Sequence, residues 1–208
     1  MITGQYTGIG QQRKHNDQDR LVFRSDYRDG IRRGEKNLLF YGAELSGYWN
    51  FSTNRSEQVI AKAFANYRQQ QTGRFSLAGT LEASAVHNLP TDMQLLGGGD
   101  TGLRGYPSRY QWGNRSWLAS IEERYFTDLY FARIVRVGVA AFFDAGRTWF
   151  SGADGAGYEE LADVGFGFRF ESTRTRQDRV LHVDFAFPLV DGPDVQSMQI
   201  LLVVKERL

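Results

Sequence analysis

Apolar and polar residues alternate with a period of two along most of this chain, the spacing that sends successive side chains to opposite faces of an extended strand. Over 37–51, Leu39, Tyr41, Ala43, Leu45, Trp49 and Phe51 fall on one face and Glu44, Ser46 and Asn50 on the other. The pattern recurs at 58–68, where Val59, Ala61, Ala63, Ala65 and Tyr67 oppose Lys62, Asn66 and Arg68. It recurs at 74–87, where Phe75, Leu77, Leu81, Ala83 and Ala85 oppose Ser76, Thr80, Glu82 and Ser84. Five further segments follow at 116–126, 134–145, 161–171, 180–188 and 196–205, and two weaker ones precede them all at 2–9 and 20–27. The pattern therefore predicts ten strands and an all-β, antiparallel fold.

Strand length and connection length add to this. Several segments run to ten residues or more, as crossing a bilayer at a tilt needs about 9–11, whereas soluble sheets average about 5–6. Connections at 69–73, 127–133 and 172–178 are short, 89–115 is long and 147–160 is intermediate. Short turns on one side and long loops on the other fit a transmembrane β-barrel with both termini on the periplasmic side. Tyr48, Trp49, Phe51, Trp117, Tyr125, Phe126, Tyr130, Phe131, Trp149 and Phe150 lie near strand ends, where an interfacial aromatic girdle belongs. Alternation alone does not say which face meets lipid, so a soluble barrel or sandwich with its apolar face inward stays open here.

Composition narrows the classes. At 208 residues the chain reads as one domain, 1–208. A net charge of +1 gives no basic field for nucleic acid, and the absence of cysteine excludes disulfides and thiolate metal sites. No run approaches the roughly 20 apolar residues of a membrane helix, and residues 1–10 carry neither a basic leader nor an apolar signal region. A mean hydropathy of -0.44 is compatible with a membrane barrel, whose two faces cancel in the average.

The stretch 96–106, Leu-Gly-Gly-Gly-Asp-Thr-Gly-Leu-Arg-Gly-Tyr, breaks the pattern with five glycines in eleven residues. Such a backbone suits tight turns and close approaches. Arg104, an always-charged planar fork inside that frame, calls for carboxylates that it can hold bidentately. The stretch lacks the Gly-Lys-Ser/Thr ending and following helix of a phosphate-binding loop. His182 and Asp184 lie two apart on one face, but no nucleophile stands near them in sequence, and His15 and His87 sit in or beside loops. No catalytic residue, metal ligand or cofactor is assigned.

Five motifs carry a resemblance. Gly-Gly-Gly-Asp-Thr-Gly-Leu-Arg-Gly-Tyr at 97–106, Ser-Ile-Glu-Glu-Arg at 120–124, Ala-Phe-Phe-Asp-Ala-Gly-Arg-Thr-Trp at 141–149, Val-Gly-Phe-Gly-Phe-Arg at 164–169 and Asp-Phe-Ala-Phe-Pro-Leu at 184–189 occur in this order. Together they resemble the barrel of the BamA, TamA and two-partner-secretion superfamily, the bacterial surface antigen type. The resemblance is strong over 95–208 and diffuse before it. It implies that the 89–115 loop folds back into the barrel on a tip made of Gly97, Gly98, Leu103, Arg104, Gly105 and Tyr106. It also implies that Arg104 meets an acid on each of the next two strands, Glu122 and Asp144. Both lie on the polar faces of their strands, where they could instead pair with neighbours such as Arg124 and Arg136.

Family barrels have about sixteen strands and periplasmic modules ahead of them, so this chain resembles the C-terminal part of one. Its last strand ends Lys-Glu-Arg-Leu, with Leu208 where the family has an aromatic residue. Open sheet edges are not tolerated in hydrocarbon, so the expectation is closure on a second copy or on a missing half. The resemblance implies a cofactor-free, non-enzymatic role in inserting or translocating proteins at the bacterial outer membrane, an organelle outer membrane being the second choice. Its partners would be outer-membrane lipid and client proteins or a second copy. The alternative is a passive pore or structural barrel.

Overall fold

The computed structural model describes residues 2–11, 20–34, 36–70, 74–88, 94–131, 135–152, 159–172 and 179–206. His15, Leu208 and the start of the long loop at 89–93 lie outside the described residues. The strands are β1 (Ile2–Gln11), β2 (Arg20–Arg33), β3 (Asn37–Asn50), β4 (Arg55–Gln70), β5 (Phe75–His87), β6 (Leu95–Gly97), β7 (Gln111–Gly113), β8 (Arg115–Phe131), β9 (Val135–Trp149), β10 (Leu161–Ser172), β11 (Arg179–Pro188) and β12 (Gln199–Glu206). Ten of them form one antiparallel sheet in the order β1-β2-β3-β4-β5-β8-β9-β10-β11-β12, and β6 pairs with β7 in a separate ribbon. Each strand of the sheet neighbours the next in sequence, except that the ribbon is inserted between β5 and β8.

The sheet thus has the strand number that the alternation predicts, and several strands run further than the pattern marked. β2 continues to Arg33 because Arg28 to Arg33 pair with Gly42 to Asn37 of β3, although Ile31 is the one aliphatic side chain among these six residues. β8 reaches Phe131 across a register shift between Phe126 and Tyr130. The ladder order ends at β1 and β12, and no ladder joins these two edges among the described residues.

Polarity across the sheet is the inverse of a water-soluble one, where apolar side chains fill the interior and charges stay in water. We call the face that carries the 94–114 segment inner. In β9 the inner residues Ala140, Phe142, Asp144 and Thr148 are buried, and between them Val139, Ala141 and Phe143 are exposed. In β10, buried Asp163, Arg169 and Glu171 alternate with exposed Val164, Phe166 and Phe168. Ile200 and Leu202 of β12 are 62% and 71% exposed, while Asp144 and Arg169 are 0% exposed. The aliphatic faces do not pack on one another. The buried apolar cluster of Leu103, Tyr106 and Leu161, flanked by Tyr110, Leu118 and Val195, lies instead between the inner segment and the wall.

An ion cluster between the inner loop and the wall

The loop's geometry follows from its glycines and short polar side chains. After β6 the chain makes one 3-10 turn over Gly99–Thr101. The Gly98 N–H donates to Thr101 Oγ1 (2.8 Å), and the same hydroxyl donates to the Gly98 carbonyl (3.0 Å). Gly102 then takes a left-handed φ of 115°, and a β-carbon there would sit 2.6 Å from Leu118 Cδ2. Only glycine meets both demands at low cost. Gly105 is needed for space: its β-carbon would lie 2.6 Å from Asp163 Cβ and 3.0 Å from the Pro188 nitrogen.

Polar anchors fix the loop to strands far along the chain. The Tyr106 hydroxyl donates to the Ala162 carbonyl (2.8 Å) and accepts from the N–H groups of Ala162 and Val190 (3.3 Å each). Gln111 accepts from the Thr148 N–H (2.8 Å) and donates to the Glu159 carbonyl (2.9 Å). Asn114 donates its N–H to Trp149 and accepts from Val86, joining β7 to β9 and β5 (2.9 Å each). Gly97 packs on Thr148, and Leu103 is buried against the wall beside Leu118 and Gly146.

These anchors aim Arg104 at the acids of the inner face. Its Nε and Nη2 donate to Asp144 Oδ2 and Oδ1 at 2.7 and 2.9 Å, a bidentate fork. Nη1 donates to Glu122 Oε2 at 2.8 Å and to Asp184 Oδ2 at 3.3 Å. The guanidinium carbon stands 3.4 Å from the centroid of the Phe142 ring, a cation–π contact. Burial opposes the Arg104 charge, but the bonds to Asp144 and the negative charges of Asp144 and Glu122 more than reverse this, raising its pKa.

The structure therefore brings Arg104, Glu122 and Asp144 together, and it adds residues that the sequence reading did not place there. Arg169 donates through Nη2 and Nε to Glu122 Oε1 (2.8 and 3.1 Å) and through Nη1 to Asp184 Oδ1 (2.5 Å). Arg124 also reaches Glu122 Oε1 (2.6 Å), and Ser120 donates to Asp144 Oδ1 (2.6 Å). Pairing of Glu122 with its neighbour Arg124 thus coexists with the loop contact. Arg136 goes elsewhere: it donates to the Thr127 carbonyl (3.1 Å) and lies over the Phe126 ring. Asp163, opposite Asp144 in register, is 0% exposed, and neither of its oxygens has a hydrogen-bond partner among the described residues.

Arg169 and Asp184 carried a signal in the sequence, since both sit on polar faces within the motifs at 164–169 and 184–189. What no spacing gives is the lateral register that sets Asp184 beside Gly167, two residues before Arg169. His182 is buried on the same face as Asp184, whose two oxygens are both taken by arginines. His87 is exposed at the end of β5. Chemically the cluster is a charge-compensated clamp between a loop and a sheet wall. No family model matches this chain, and no curated protein matches it either.

Proposed function

We propose that this sheet is the C-terminal part of an outer-membrane barrel of the BamA, TamA and two-partner-secretion type. Its apolar face meets acyl chains, and its 94–114 segment braces the interior through Arg104. The edges of β1 and β12 form the seam where a client strand or a second copy adds.

The observation that carries this reading is the inverted polarity: exposed aliphatic and aromatic side chains outside, and an arginine clamp with its acids inside. In water an exposed surface of Leu81, Ile121, Phe166, Ile200 and Leu202 would be an aggregation liability. Against hydrocarbon it is the required surface. The unpaired edges have the same logic, because backbone N–H and C=O groups facing lipid must find partners. A strand that adds to β12 by hydrogen-bond exchange would supply them, and this is β-augmentation, which needs no cofactor and no covalent step. The inner segment needs more room than a barrel of about eight strands provides, since side chains fill one of that size.

The test uses tryptophan. Trp49 lies on the outer face and Trp112 in the inner ribbon, each exposed in the chain alone at 37% and 47%. In vesicles of brominated phospholipid, a variant retaining only Trp49 is expected to be strongly quenched and one retaining only Trp112 spared. Equal quenching of the two, or none of either, would remove the membrane reading.

The second reading, a passive pore, draws on the part of the inner face that the loop leaves open. A cavity of about 310 Å³ separates the ribbon from the wall, lined in part by Glu82, Ser84, Gln94, Ser116 and Thr148. The pairs Arg28–Glu44 and Lys62–Glu82 are solvated on the same face. Single-channel conductance in planar bilayers separates the two: steady ohmic current means a pore, and its absence means a plugged barrel.

A further inference from the structure

The Arg104 clamp accounts for four of the five motifs, but the strand motif Val-Gly-Phe-Gly-Phe-Arg at 164–169 has no residue bonded to the loop's arginine. We infer that Arg169, seated by Gly167, is a positioning residue that presets the acidic cradle, so that docking of the 94–114 segment is controlled from a side chain bonded to the acids of the wall. The inference deepens the bracing role proposed above. It concerns loop docking alone and can be read out with or without a membrane.

The geometry is a sharing of oxygens. Glu122 gives Oε2 to Arg104 and Oε1 to both Arg169 and Arg124. Asp184 gives Oδ2 to Arg104 and Oδ1 to Arg169. Each acid thus has one oxygen held by the wall's own arginine and the other turned toward the loop. Arg169 bonds to Glu122, Asp184 and the Phe168 carbonyl, residues of the wall. Before the loop arrives, Glu122, Asp144 and Asp184 are like charges on neighbouring inner positions. Arg124 steadies Glu122 from its own strand, but without Arg169 no wall cation bridges Glu122 to Asp184, and the two would repel one another and occupy several rotamers. A planar fork bonded to two of them fixes their directions, so the ordering cost is met before Arg104 enters.

The glycines of the motif provide the room. A β-carbon on Gly167 would collide with Asp184 Oδ1 and stand 2.8 Å from Arg169 Nη1. One on Gly165 would collide with the Phe142 ring, on which Arg104 stacks. Gly165 therefore seats the ring beneath the loop's arginine, and Gly167 seats the pair beside it.

Because the chain has no native cysteine, a disulfide can report docking. A β-carbon on Gly97 would lie 3.2 Å from Thr148 Cβ, near the roughly 3.5–4.5 Å found in disulfides. The purified full chain carrying Gly97→Cys and Thr148→Cys is oxidised under fixed conditions and the rate of crosslinking measured. Arg169→Gln is expected to slow it about tenfold, the scale of losing hydrogen bonds between charged groups. Gly167→Ala should slow it in the same direction, and Arg169→Lys should fall between. In an Arg104→Gln background, itself slow, Arg169→Gln should add nothing further.

An unchanged rate in Arg169→Gln overturns the inference, and so does the same slowing with Arg104 already gone, since Arg169 would then only support the wall. If Arg169→Gln does not fold, Gly167→Ala and Arg169→Lys decide it, and native rates in both overturn it. Failure of lipid quenching at Trp49 would leave this result standing, and failure here would leave the membrane reading standing.

Discussion

Asp163 is the residue whose surroundings are least balanced. Arg104, Arg124 and Arg169 are the cations in contact with the cluster, and they serve Glu122, Asp144 and Asp184 through direct bonds. Asp163 is a fourth acid, buried opposite Asp144, and neither of its oxygens has a well-formed hydrogen bond among the described residues. An acceptor buried without a partner costs about 1–3 kcal/mol, and more when it is charged. Asp163→Asn keeps the shape, replaces a buried acid with a neutral amide and supplies an N–H₂ that can donate toward Asp144. It is expected to raise the thermal unfolding temperature, followed by loss of β circular dichroism. A drop of several degrees would mean that the carboxylate is held by a contact worth more than the repulsion.

At the scale of elements, the inner segment is set by close approach as much as by charge. Gly105 separates Arg104 from Tyr106 and lies directly on Asp163 and Pro188. Gly105→Ala would push the loop off β10, stretching both the Arg104 fork and the Tyr106 bonds to Ala162 and Val190. Protection of amides 99–111 from hydrogen exchange is expected to fall by about tenfold or more, as overpacking of about 1–3 kcal/mol implies, with β8 and β9 unaffected. Uniform loss across the sheet would instead mean that the loop is required for the strands themselves.

The same scale explains what the sequence could and could not reveal. Strands β3 to β5 and β8 to β11 are legible because each keeps one apolar and one polar face over many residues. The second half of β2 is mostly polar, with Ile31 alone among Arg28 to Arg33, and pairing with β3, a tertiary effect, overrides the weak local signal. The motif resemblance implies Glu122 and Asp144 as partners of Arg104, and their places on the polar faces of the next two long strands agree with it. Arg169 could not be assigned its partners, since these come from lateral register and from the room left by Gly167. Neither is a property of spacing along the chain.

For the whole molecule, the decisive question is which solvent the outer face meets. Phe166 is 50% exposed on the outer face of β10 and stacks on Phe185 and Phe187 of β11. In water an exposed site tolerates substitution within about 0.5 kcal/mol. Near a bilayer midplane an arginine costs about 2–4 kcal/mol. Phe166→Arg is therefore expected to cut the yield of folded protein in lipid vesicles while improving solubility without lipid. Equal folding with and without lipid would favour a soluble sheet.

The long reach of the loop's anchors bears on the order of events in folding. Arg104 meets Asp184 across 80 residues, and Tyr106 meets Val190 across 84. Sheet hairpins can zip from local turns, whereas contacts so distant in sequence form slowly, because they must first overcome the entropy of closing a large loop. Arg104 can meet Glu122 and Asp144, 18 and 40 residues away, once β8 and β9 are paired, but its bond to Asp184 and the Tyr106 bond to Val190 wait until β11 is in register with β10. The clamp therefore closes in two stages, a first one near in sequence on β8 and β9 and a second, slower one on β10 and β11.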